Sequence, residues 1–543
     1  MGKKKPSGEL KTVSLPIQAQ RYRDTNTLES SSSEHWGVEH IQPFFPSLEM
    51  MFKMENVDAV REHGLKLDEP IQSIQAPGVI TTTGGVSKNI HIKQTMLVNP
   101  FRWMKGEYGG ALGLPTIQEY ASALMSRVQS PHNGAYVGGL FSALFSQSGC
   151  IHFPKVHGLF TGIAKKHKID ISDEYADISE KPWFTQNVGN TFNLTLSEHA
   201  SAHSEFRHTR DARTTVLLEG ETSLGEIEDL PGIGSNENIQ ILEMSPVFEE
   251  DCDELDSESN CSDISTAYVF HVESCDCDED EEDEEDEGEE DGFAWATMSN
   301  VPVQITVMEK CEGTLYELMC LEPETKKHIA WLAQVLFALT FAQRTFGFTH
   351  NDLHSNNIMY VKTDKDFLNY KVEGQAFKVP THGYLLKIID FERGAGSVRI
   401  SGMKNPKFFM SDHFSPDEEA GGQYNVEPFY TPSIETIKPN PSFDLVRLAT
   451  SLFWDLFPEG PDHAEYKTNP IFITLIRWLT LEDGTSILFG KNDPSHDRYH
   501  GFNLYKAIAR FCKDTAVPRN EIQHIVPLFG VSGTQPTQFD LVI

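Results

Sequence analysis

One short polar stretch constrains this chain more than any other feature. Residues 349–360 read T-H-N-D-L-H-S-N-N-I-M-Y, which sets His350, Asp352 and Asn357 in the order H-x-D-x-x-x-x-N. An apolar segment follows later, L-L-K-I-I-D-F, with a second acid, Asp390, at its end. Phosphoryl transfer from ATP needs one carboxylate to orient the attacking hydroxyl, and an amide plus another carboxylate to hold Mg²⁺ on the phosphates. The order and spacing of these side chains predict such a site.

Each of these side chains has a candidate role. Asp352 is the candidate base, and its main work would be to position the hydroxyl, because the transition state is loose and proton transfer comes late. A helix cap or a turn is the alternative for an isolated Asp. Asn357 and Asp390 would supply the hard oxygen atoms that Mg²⁺ takes. His354 lies where it could donate a hydrogen bond to the γ-phosphate, and a purely structural His is the alternative.

Turn glycines mark a possible phosphate-binding loop near the start of the chain. Residues 75–98 mix β-branched residues with glycines, which predicts strands and a tight turn. Gly78, Gly84 and Gly85 would allow close approach of the backbone to phosphates. The spacing is not G-x-G-x-x-G, so an ordinary hairpin turn is the alternative.

Hydrophobic periodicity predicts most of the second half of the chain. Apolar side chains recur at helical spacing over 323–346, so a long helix would lead directly into the loop at His350. β-branched residues at 303–309 predict a buried strand. The other predicted helices are 115–129, 135–147, a short one from 314 to 319, 443–457, 469–481 and 502–513.

Long polar segments interrupt this pattern. Residues 1–40 are polar and include four consecutive serines, which predicts a flexible arm. Residues 165–263 are polar, Ser-rich and acidic, which predicts a large and partly disordered insertion. Segments 266–272 and 293–298 predict two strands of a hairpin with the acidic run 276–291 at its tip. Like charges at this density repel and cannot form a core.

The charge of the chain excludes some partners. The net charge is −35, and residues 276–291 contain 14 acids in 16 positions. Removing those 14 charges still leaves −21. A protein this anionic is a poor general binder of nucleic acid or of an anionic membrane, so neither is expected as a partner. Basic partners would suit the charge, and a charge that only maintains solubility is the alternative.

Cysteines and the N-terminus indicate an intracellular protein. The eight Cys residues are scattered and form no disulfide framework, which favours a reducing compartment. The sequence M-G-K-K-K-P-S lacks the apolar core of a secretory signal. We expect no membrane span, since we find no run of about 18 apolar residues.

Several motifs resemble eukaryotic-type protein kinases. T-H-N-D-L-H-S-N-N-I resembles the catalytic loop, and I-I-D-F resembles the metal-binding D-F-G strand. V-M-E-K-C-E-G-T-L at 307–315 resembles the hinge between the two lobes. By that resemblance Met308 is the gatekeeper, and the backbone of Glu309 and Cys311 faces the adenine. Asp444 resembles the Asp that begins a helix and holds the catalytic loop.

The resemblance also implies a lysine and its partner in the N-terminal lobe. I-H-I-K, which ends at Lys93, resembles the V-A-I-K strand, so Lys93 would contact the α- and β-phosphates. An exposed strand Lys is the alternative. The ion-pair partner would be a Glu on the following helix, with Glu119 as first candidate and Glu107 as second.

Within protein kinases the pattern is similar to the haspin-like group. The features are D-L-H in place of D-L-K, a longer connection from Asn357 to Asp390, and the segment 374–383 before K-I-I-D-F. The arrangement also resembles kinases encoded by large nucleocytoplasmic DNA viruses. Two departures stand out. Asn351 replaces the usual Arg before the catalytic Asp, and Glu392 replaces the Gly of D-F-G, which puts an extra charge near the metal site.

The resemblance implies an α+β, bilobal protein-kinase-like fold, with a small β-rich N-lobe, a larger helical C-lobe and a long acidic insertion. The expected organisation is an N-terminal extension at 1–70, an N-lobe at 71–312 with the insertion at 165–292, and a C-lobe at 313–543. The implied function is ATP- and Mg²⁺-dependent phosphorylation of Ser or Thr on a protein substrate, with basic proteins as the candidate class. The expected location is the cytoplasm or nucleus of a host cell, or the virion.

Two other functions remain open. Aminoglycoside and choline kinases also use H-x-D-x-x-x-x-N and a later Asp, so a small-molecule phosphotransferase is one alternative. A pseudokinase scaffold is the other, because Glu392 departs from the family pattern and the assignment of Lys93 to the phosphates is open.

Overall fold

The structure is a computed structural model of mixed α+β architecture. It describes residues 15–17, 19–21, 25–43, 51–52, 63–108, 128, 130–197, 293–416, 418, 420–425, 429, 439–491, 494–533 and 536–543. Glu119, the predicted strand 266–272, the acidic run 276–291 and the predicted helix 115–129 apart from Val128 lie outside these residues.

Eighteen strands occur in the described residues. In chain order they are β1 (Pro16–Ile17), β2 (Ala19–Arg21), β3 (Val38–Pro43), β4 (His63–Leu65), β5 (Ile71–Ala76), β6 (Val79–Thr82), β7 (Ser87–Met96), β8 (Val156–Asp170), β9 (Asn193–Ser197), β10 (Phe293–Glu309), β11 (Gly313–Thr314), β12 (Ile358–Lys362), β13 (Phe367–Val372), β14 (Gln375–Pro380), β15 (Tyr384–Ile388), β16 (Ala395–Ile400), β17 (Lys407–Met410) and β18 (Leu541–Val542).

Eleven α-helices occur in the same residues. They are α1 (Glu29–His35), α2 (Pro100–Met104), α3 (Gly134–Gln147), α4 (Ser172–Ile178), α5 (Pro182–Asn187), α6 (Leu315–Leu321), α7 (Thr325–Phe346), α8 (Phe443–Leu456), α9 (Pro470–Leu479), α10 (Phe502–Phe511) and α11 (Pro518–Phe529). Every helix predicted within the described residues is present, with ends that differ by a few residues.

A seven-stranded sheet forms the first half of the fold. Its order is β3-β8-β10-β7-β6-β5, and β9 pairs with β10 at one end. Strand β10 is the centre of this sheet, and every residue from 301 to 307 is buried, so both faces of the strand are covered. The β-branched Val301, Val303, Ile305 and Val307 line one face, and Gln304 and Thr306 line the other. Strand β7 pairs antiparallel with β10, with Lys93 opposite Thr306.

The long helix α7 positions the second half. It packs on β15, where the Gln334 side chain donates to the carbonyl of Tyr384 (3.1 Å) and accepts from the N–H of Leu386 (3.0 Å). Among the described helices, α7 alone has the length and apolar composition of a membrane span, and 83% of its most apolar window is buried inside the protein. Buried core helices have the same composition, so this is weak evidence for a span.

The prediction of a flexible arm at residues 1–40 is wrong for its second part. Residues 25–43 belong to the fold, because α1 packs beside β3 and β3 pairs with β8. The Glu29 carboxylate accepts hydrogen bonds from the N–H groups of His40 (2.6 Å) and Ile41 (2.9 Å). The buried Ser32 hydroxyl donates to the carbonyl of Val38 at 2.9 Å. Serines that satisfy local backbone groups account for an ordered polar segment.

Residues 165–197, the start of the predicted insertion, also form regular structure. Strand β8 continues to Asp170 and pairs with β10. Helices α4 and α5 follow, and β9 then pairs with β10, with Ser197 opposite Phe293. The described pairing partners of 293–298 are therefore β9 and β8, whereas the predicted partner 266–272 lies outside the described residues.

Candidate active site

The loop that carries Asp352 begins where α7 ends. Gly347 closes the helix in the left-handed region (φ +58°), which glycine adopts without steric cost. The chain then forms a bridge between Thr349 and Ala395, with hydrogen bonds of 2.8 and 2.9 Å in the two directions. This bridge fixes the loop beside the segment that follows Asp390.

Asp444 binds the backbone of the loop that carries Asp352. This fully buried carboxylate lies in the first turn of α8 and accepts the N–H of His350 (3.0 and 3.1 Å) and of Asn351 (3.0 Å). Burial raises the pKa of Asp444, and the hydrogen bonds from the loop oppose that rise. These contacts tie the first turn of α8 to the loop that carries Asp352.

His350 and Asn351 are structural residues of the loop. The His350 ring contacts the carbonyl of Ile389 through Nε2 at 2.7 Å, which links the loop to the residue before Asp390. Asn351 adopts a left-handed conformation (φ +64°) and is fully buried. Its side-chain amide donates to the carbonyl of Arg393 (2.9 Å) and accepts from the Tyr424 hydroxyl (2.8 Å). A neutral side chain therefore makes local contacts at the position where eukaryotic-type protein kinases usually have Arg.

Asp352 lies in a strongly polar setting. The Tyr505 hydroxyl donates to its Oδ1 at 2.7 Å, and the Arg393 guanidinium lies 3.6 Å from its Oδ2. Burial alone would raise the pKa of Asp352, but Arg393, Arg447 and the Tyr505 hydroxyl outweigh that effect and lower it. The carboxylate is ionised at neutral pH, and 21% of its side chain remains exposed, so a hydroxyl can reach it.

Asn357 and His354 are in direct contact. The Asn357 side-chain nitrogen donates to the carbonyl of Asp352 (2.9 Å) and lies 3.0 Å from His354 Nε2. That ring nitrogen is then the acceptor, so the imidazole is neutral. Burial lowers the pKa of His354 to about 4. A positive charge on His354 at neutral pH is therefore not supported, although its Nδ1, which is buried without a partner among the described residues, can donate a hydrogen bond.

Lys93 reaches the second acid. Its ammonium donates to Asp390 Oδ1 at 2.7 Å, across a separation of 297 residues. Burial favours the neutral carboxyl, but Lys93 outweighs it and lowers the pKa of Asp390 to about 2. Two carboxylates, Asp390 and Glu392, raise the pKa of Lys93, although the burial of Lys93 would lower it. The contact supports Lys93 over the alternative of an exposed strand lysine.

Sequence reasoning noted Glu392 as an extra charge near the metal site but missed its contact with Lys93. Its Oε1 lies 2.7 Å from the Lys93 ammonium and accepts the Thr95 hydroxyl at 2.5 Å. The predicted second candidate, Glu107, is instead bound to Arg102 at 2.6 Å in an exposed pair, so it is not the partner of Lys93. The first candidate, Glu119, lies outside the described residues.

An aromatic cluster fixes the segment between the two carboxylates. Phe391 is buried and packs against Phe145 of α3 (4.9 Å between ring centroids), Phe153 (5.9 Å) and Phe348 (5.9 Å). Because Phe391 points into this cluster, its neighbours Asp390 and Glu392 are both directed towards Lys93. Asp390 itself has φ +64°, a conformation that non-glycine residues adopt rarely.

The three predicted glycines do not form one loop. Gly78 lies in the turn between β5 and β6, and the N–H of Ile90 donates to its carbonyl at 2.9 Å. Gly84 and Gly85 lie in the turn between β6 and β7, at the opposite end of β6. The assignment of all three to a single phosphate loop is therefore wrong. Gly78 lies at the end of β6 that is paired nearer Lys93, so its turn remains the candidate.

The predicted hinge, residues 307–315, begins in the last residues of β10. Met308 pairs with His91 of β7, and after Glu309 the chain leaves the sheet without regular structure until β11. The N–H of Glu309 donates to the carbonyl of Lys155 at 2.8 Å, which leaves its carbonyl and the backbone of Cys311 as candidate adenine contacts. The buried Lys387 ammonium contacts Glu309 Oε2 at 3.0 Å and thereby joins the hinge to β15.

The donor set fits Mg²⁺. The N–H of Ile389 donates to the carbonyl of Asn357 at 3.0 Å, so the backbones that carry Asn357 and Asp390 are adjacent. An ionised carboxylate and an oriented amide offer two hard oxygen ligands. No cluster of three or more His, Cys, Asp or Glu with metal-binding geometry occurs in the described part of the chain. Two protein ligands suit Mg²⁺, which usually keeps waters and substrate phosphates as its other ligands.

Comparison with known proteins gives short local matches. No family model matches the chain. It is 37% identical over 60 residues to the serine/threonine-protein kinase haspin of Mus musculus, which covers 11% of this chain and 8% of haspin. It is 31% identical over 111 residues to the "Putative serine/threonine-protein kinase 019R" of Frog virus 3 (isolate Goorha), 18% of this chain and 12% of that protein. A match to "Uncharacterized protein ZK177.2" of Caenorhabditis elegans is 28% identical over 68 residues, 12% of this chain and 23% of that protein. The matches span less than a quarter of each relative, and they indicate a kinase-like relationship for a limited part of the chain.

Proposed function

We propose that this protein is an ATP-dependent protein kinase that transfers the γ-phosphate to Ser or Thr hydroxyls. One observation carries the proposal. The ammonium of Lys93, on a strand of the seven-stranded sheet, lies 2.7 Å from Asp390, which is adjacent in backbone to the loop of Asp352 and Asn357. This contact supports a site in which residues far apart in sequence would supply a cation for phosphates, a base and two metal ligands.

Each residue has a distinct role in this proposal. The ionised Asp352 orients the substrate hydroxyl and accepts its proton late in the reaction. Lys93 holds the α- and β-phosphates, and His354 Nδ1–H donates to the γ-phosphate. Asn357 and Asp390 hold Mg²⁺, which when bound neutralises charge on the phosphates. The carbonyl of Glu309 and the backbone of Cys311 contact the adenine, and Met308 is the gatekeeper residue beside them.

The proposed architecture is bilobal. The seven-stranded sheet forms a small lobe, the helices from α6 onward form the larger lobe, and the cleft between them contains Lys93. The acidic segment before β10 is an insertion in the small lobe. We place the protein in the cytoplasm or nucleus of a host cell, or in a virion, where its thiols stay reduced.

The proposed substrates are proteins with basic residues near the phosphorylated Ser or Thr. The net charge of −35 supports this class, because an anionic surface attracts cationic peptides over distances of about the Debye length, roughly 10 Å at 0.1 M salt. A peptide library that varies the charge around a Ser or Thr tests it. Equal or faster turnover of acidic peptides would exclude this class.

The function itself is tested with purified full-length chain, Mg²⁺ and radiolabelled ATP. Labelled phosphate should appear on Ser or Thr peptides and not on a panel of aminoglycosides, choline and other small alcohols. In Asp352→Asn, turnover should fall by roughly two to four orders of magnitude, the usual contribution of a positioned base, while Mg·ATP still raises the melting temperature.

Other outcomes have definite meanings. Label on a small alcohol alone would favour a small-molecule phosphotransferase. A melting temperature that Mg·ATP does not change, together with no transfer to any acceptor, would favour a pseudokinase scaffold. Unchanged turnover in Asp352→Asn would remove Asp352 from its role. The control is Asp455→Asn, since Asp455 is an exposed acid at the far end of α8.

A further inference from the structure

Helix α3 leaves a space that a side chain from another element fills. A Cβ atom placed on Gly138 would lie 2.8 Å from Glu392 Cγ and 3.3 Å from Glu392 Cα. Real Cβ atoms essentially never approach so closely, so any other residue at this position would displace Glu392. Glycine at 138 therefore allows Glu392 to lie against the helix.

The same helix has no acid of its own. Residues 134–147 read G-A-Y-V-G-G-L-F-S-A-L-F-S-Q, which contains neither Asp nor Glu. Yet α3 packs on the segment after Asp390, through Phe145 against Phe391 and through Gly138 against Glu392. A carboxylate is thus delivered to Lys93 at the surface of α3, although it is carried by the residue two positions after Asp390.

Glu392 is built to hold an ammonium group. Its Oε1 lies 2.7 Å from the Lys93 ammonium and also accepts the Thr95 hydroxyl at 2.5 Å, which fixes the carboxylate. Only 20% of its side chain is exposed, so solvent screens the pair less than it would screen a surface pair. Thr95 and Lys93 are alternate residues of β7 and therefore lie on the same face of the strand.

We propose that Glu392 is the positioning residue that holds Lys93 for the phosphates of the nucleotide, and that Gly138 provides its space. This proposal rests on the proposed function. It gives a role to the residue that replaces the Gly of D-F-G. Asp390 and Glu392 both contact Lys93. Glu392 therefore keeps the ammonium in place when the Asp390 carboxylate binds Mg²⁺ instead of Lys93. Glu392 acts through Lys93 and does not touch the reacting atoms.

The sharpest test moves the carboxylate from one element to the other. Glu392→Gly removes the acid, and Gly138→Glu introduces one on α3. Each single variant should lower kcat/KM for ATP by about tenfold or more, the effect of one lost hydrogen bond to a charged group. In Gly138→Glu the loss comes from displacement of Glu392. The double variant Gly138→Glu/Glu392→Gly should recover most of the loss, because the new side chain has space only when Glu392 is absent.

Glu392→Gln keeps the size of the side chain and guards against a folding defect. Its KM for ATP should rise by about tenfold, while KM for the peptide stays unchanged. Glu107→Gln is the matched control, because Glu107 lies in an exposed pair with Arg102 and should leave both constants unchanged. A metal ligand would behave differently: loss of activity in Glu392→Gln that excess Mg²⁺ restores would overturn the proposal.

A second readout does not depend on activity. The rate at which an amine-reactive reagent labels Lys93, mapped by mass spectrometry of peptides, should rise several-fold in Glu392→Gln and stay constant in Glu107→Gln. If the wild-type chain transfers no phosphate from ATP, the proposed function fails. If the wild-type chain is active while Glu392→Gln matches it in KM and in Lys93 labelling, this inference alone is overturned.

Discussion

Two carboxylates, Asp390 and Glu392, contact Lys93, and their charge balance depends on its ammonium. In the wild-type protein the ion pair with Lys93 favours the ionised form of Asp390 and lowers its pKa to about 2. The contribution of this ion pair to folding stability is therefore complete above the unfolded-state pKa of about 3.9 and is lost as the pH falls towards 2. Without the ammonium, Asp390 and Glu392 would be two close carboxylates, and the pKa of at least one would rise.

Lys93→Met should therefore reverse the pH dependence of stability in this region. A raised carboxyl pKa means that the folded state binds a proton more tightly than the unfolded chain, so stability falls as the pH rises through it. The deficit in melting temperature of Lys93→Met relative to wild type should be larger at pH 7 than at pH 5. Lys165→Met, which removes an exposed ion pair with Glu39, is the control and should show no such difference. An equal deficit at both pH values would contradict the prediction.

Tyr505→Phe tests the environment of the proposed base. The Tyr505 hydroxyl donates to Asp352 and contributes to its lowered pKa. Its removal should raise the pKa of Asp352, so the acid limb of kcat/KM against pH should move to higher pH. The control is Tyr466→Phe, since Tyr466 makes a similar bond to Glu459 but in an exposed position. An unmoved acid limb would separate Tyr505 from the base.

At the residue scale the sequence predicts the candidate base and metal ligands but not every side chain that contacts them. Asp352, Asn357 and Asp390 could be found because their spacing along the chain is informative. Tyr505 lies 153 residues from Asp352, and no local pattern links a helix tyrosine to a distant loop. The contact of Glu392 with Lys93 could not be found for another reason: an acid at this position departs from the protein-kinase pattern, so the sequence indicated an extra charge near the metal site but no partner for it.

At the scale of elements, one helix and one loop are joined through a single carboxylate. Asp444 of α8 accepts hydrogen bonds from two consecutive N–H groups of the Asp352 loop. Asp444→Asn should weaken this junction, because an amide has one acceptor oxygen and places a donor against two N–H groups. The expected cost is about 1–3 kcal/mol for unsatisfied buried groups.

The measurement for Asp444→Asn has two parts. The melting temperature should fall, and amide exchange should rise in the loop around His350 more than in the seven-stranded sheet. Asp455→Asn at the exposed end of the same helix is the control. Uniform exchange throughout the chain would indicate global destabilisation and not a local hold on the loop.

Elements with strong periodicity were predictable, whereas polar elements were not. The apolar spacing in α7 and the β-branched run in β10 were sufficient, because burial dictates both patterns. Helix α1 contains four serines and has no hydrophobic stripe, and β9 alternates Leu194 and Leu196 with polar residues over only five positions. Helix α1 is held by hydrogen bonds and by packing beside β3, and β9 is held by its pairing with β10, which are tertiary effects.

At the scale of the whole molecule, the acidic run 276–291 is a dense concentration of negative charge, with 14 acids in 16 positions. Replacing its 14 acids with Gly and Ser, at constant length, would leave a net charge of −21. The KM for basic peptides should then rise several-fold at low salt, because long-range attraction is reduced. The difference should vanish near 1 M salt, where the Debye length is about 3 Å.

Neutral peptides serve as the internal control for that replacement and should keep their KM. An unchanged KM for basic peptides at low ionic strength would show that the run does not recruit substrate. The protein would then use these charges for solubility, the alternative that the composition leaves open.

The pairing of Ser197 with Phe293 has a consequence for how the chain can vary. The chain leaves the sheet and rejoins it at neighbouring positions, so the sheet imposes almost no condition on the number of residues between them. Lengthening a closed loop is thermodynamically mild, about 0.6 kcal/mol for each doubling. Segments of very different size can therefore be exchanged at this junction while Lys93 and its carboxylates keep their geometry.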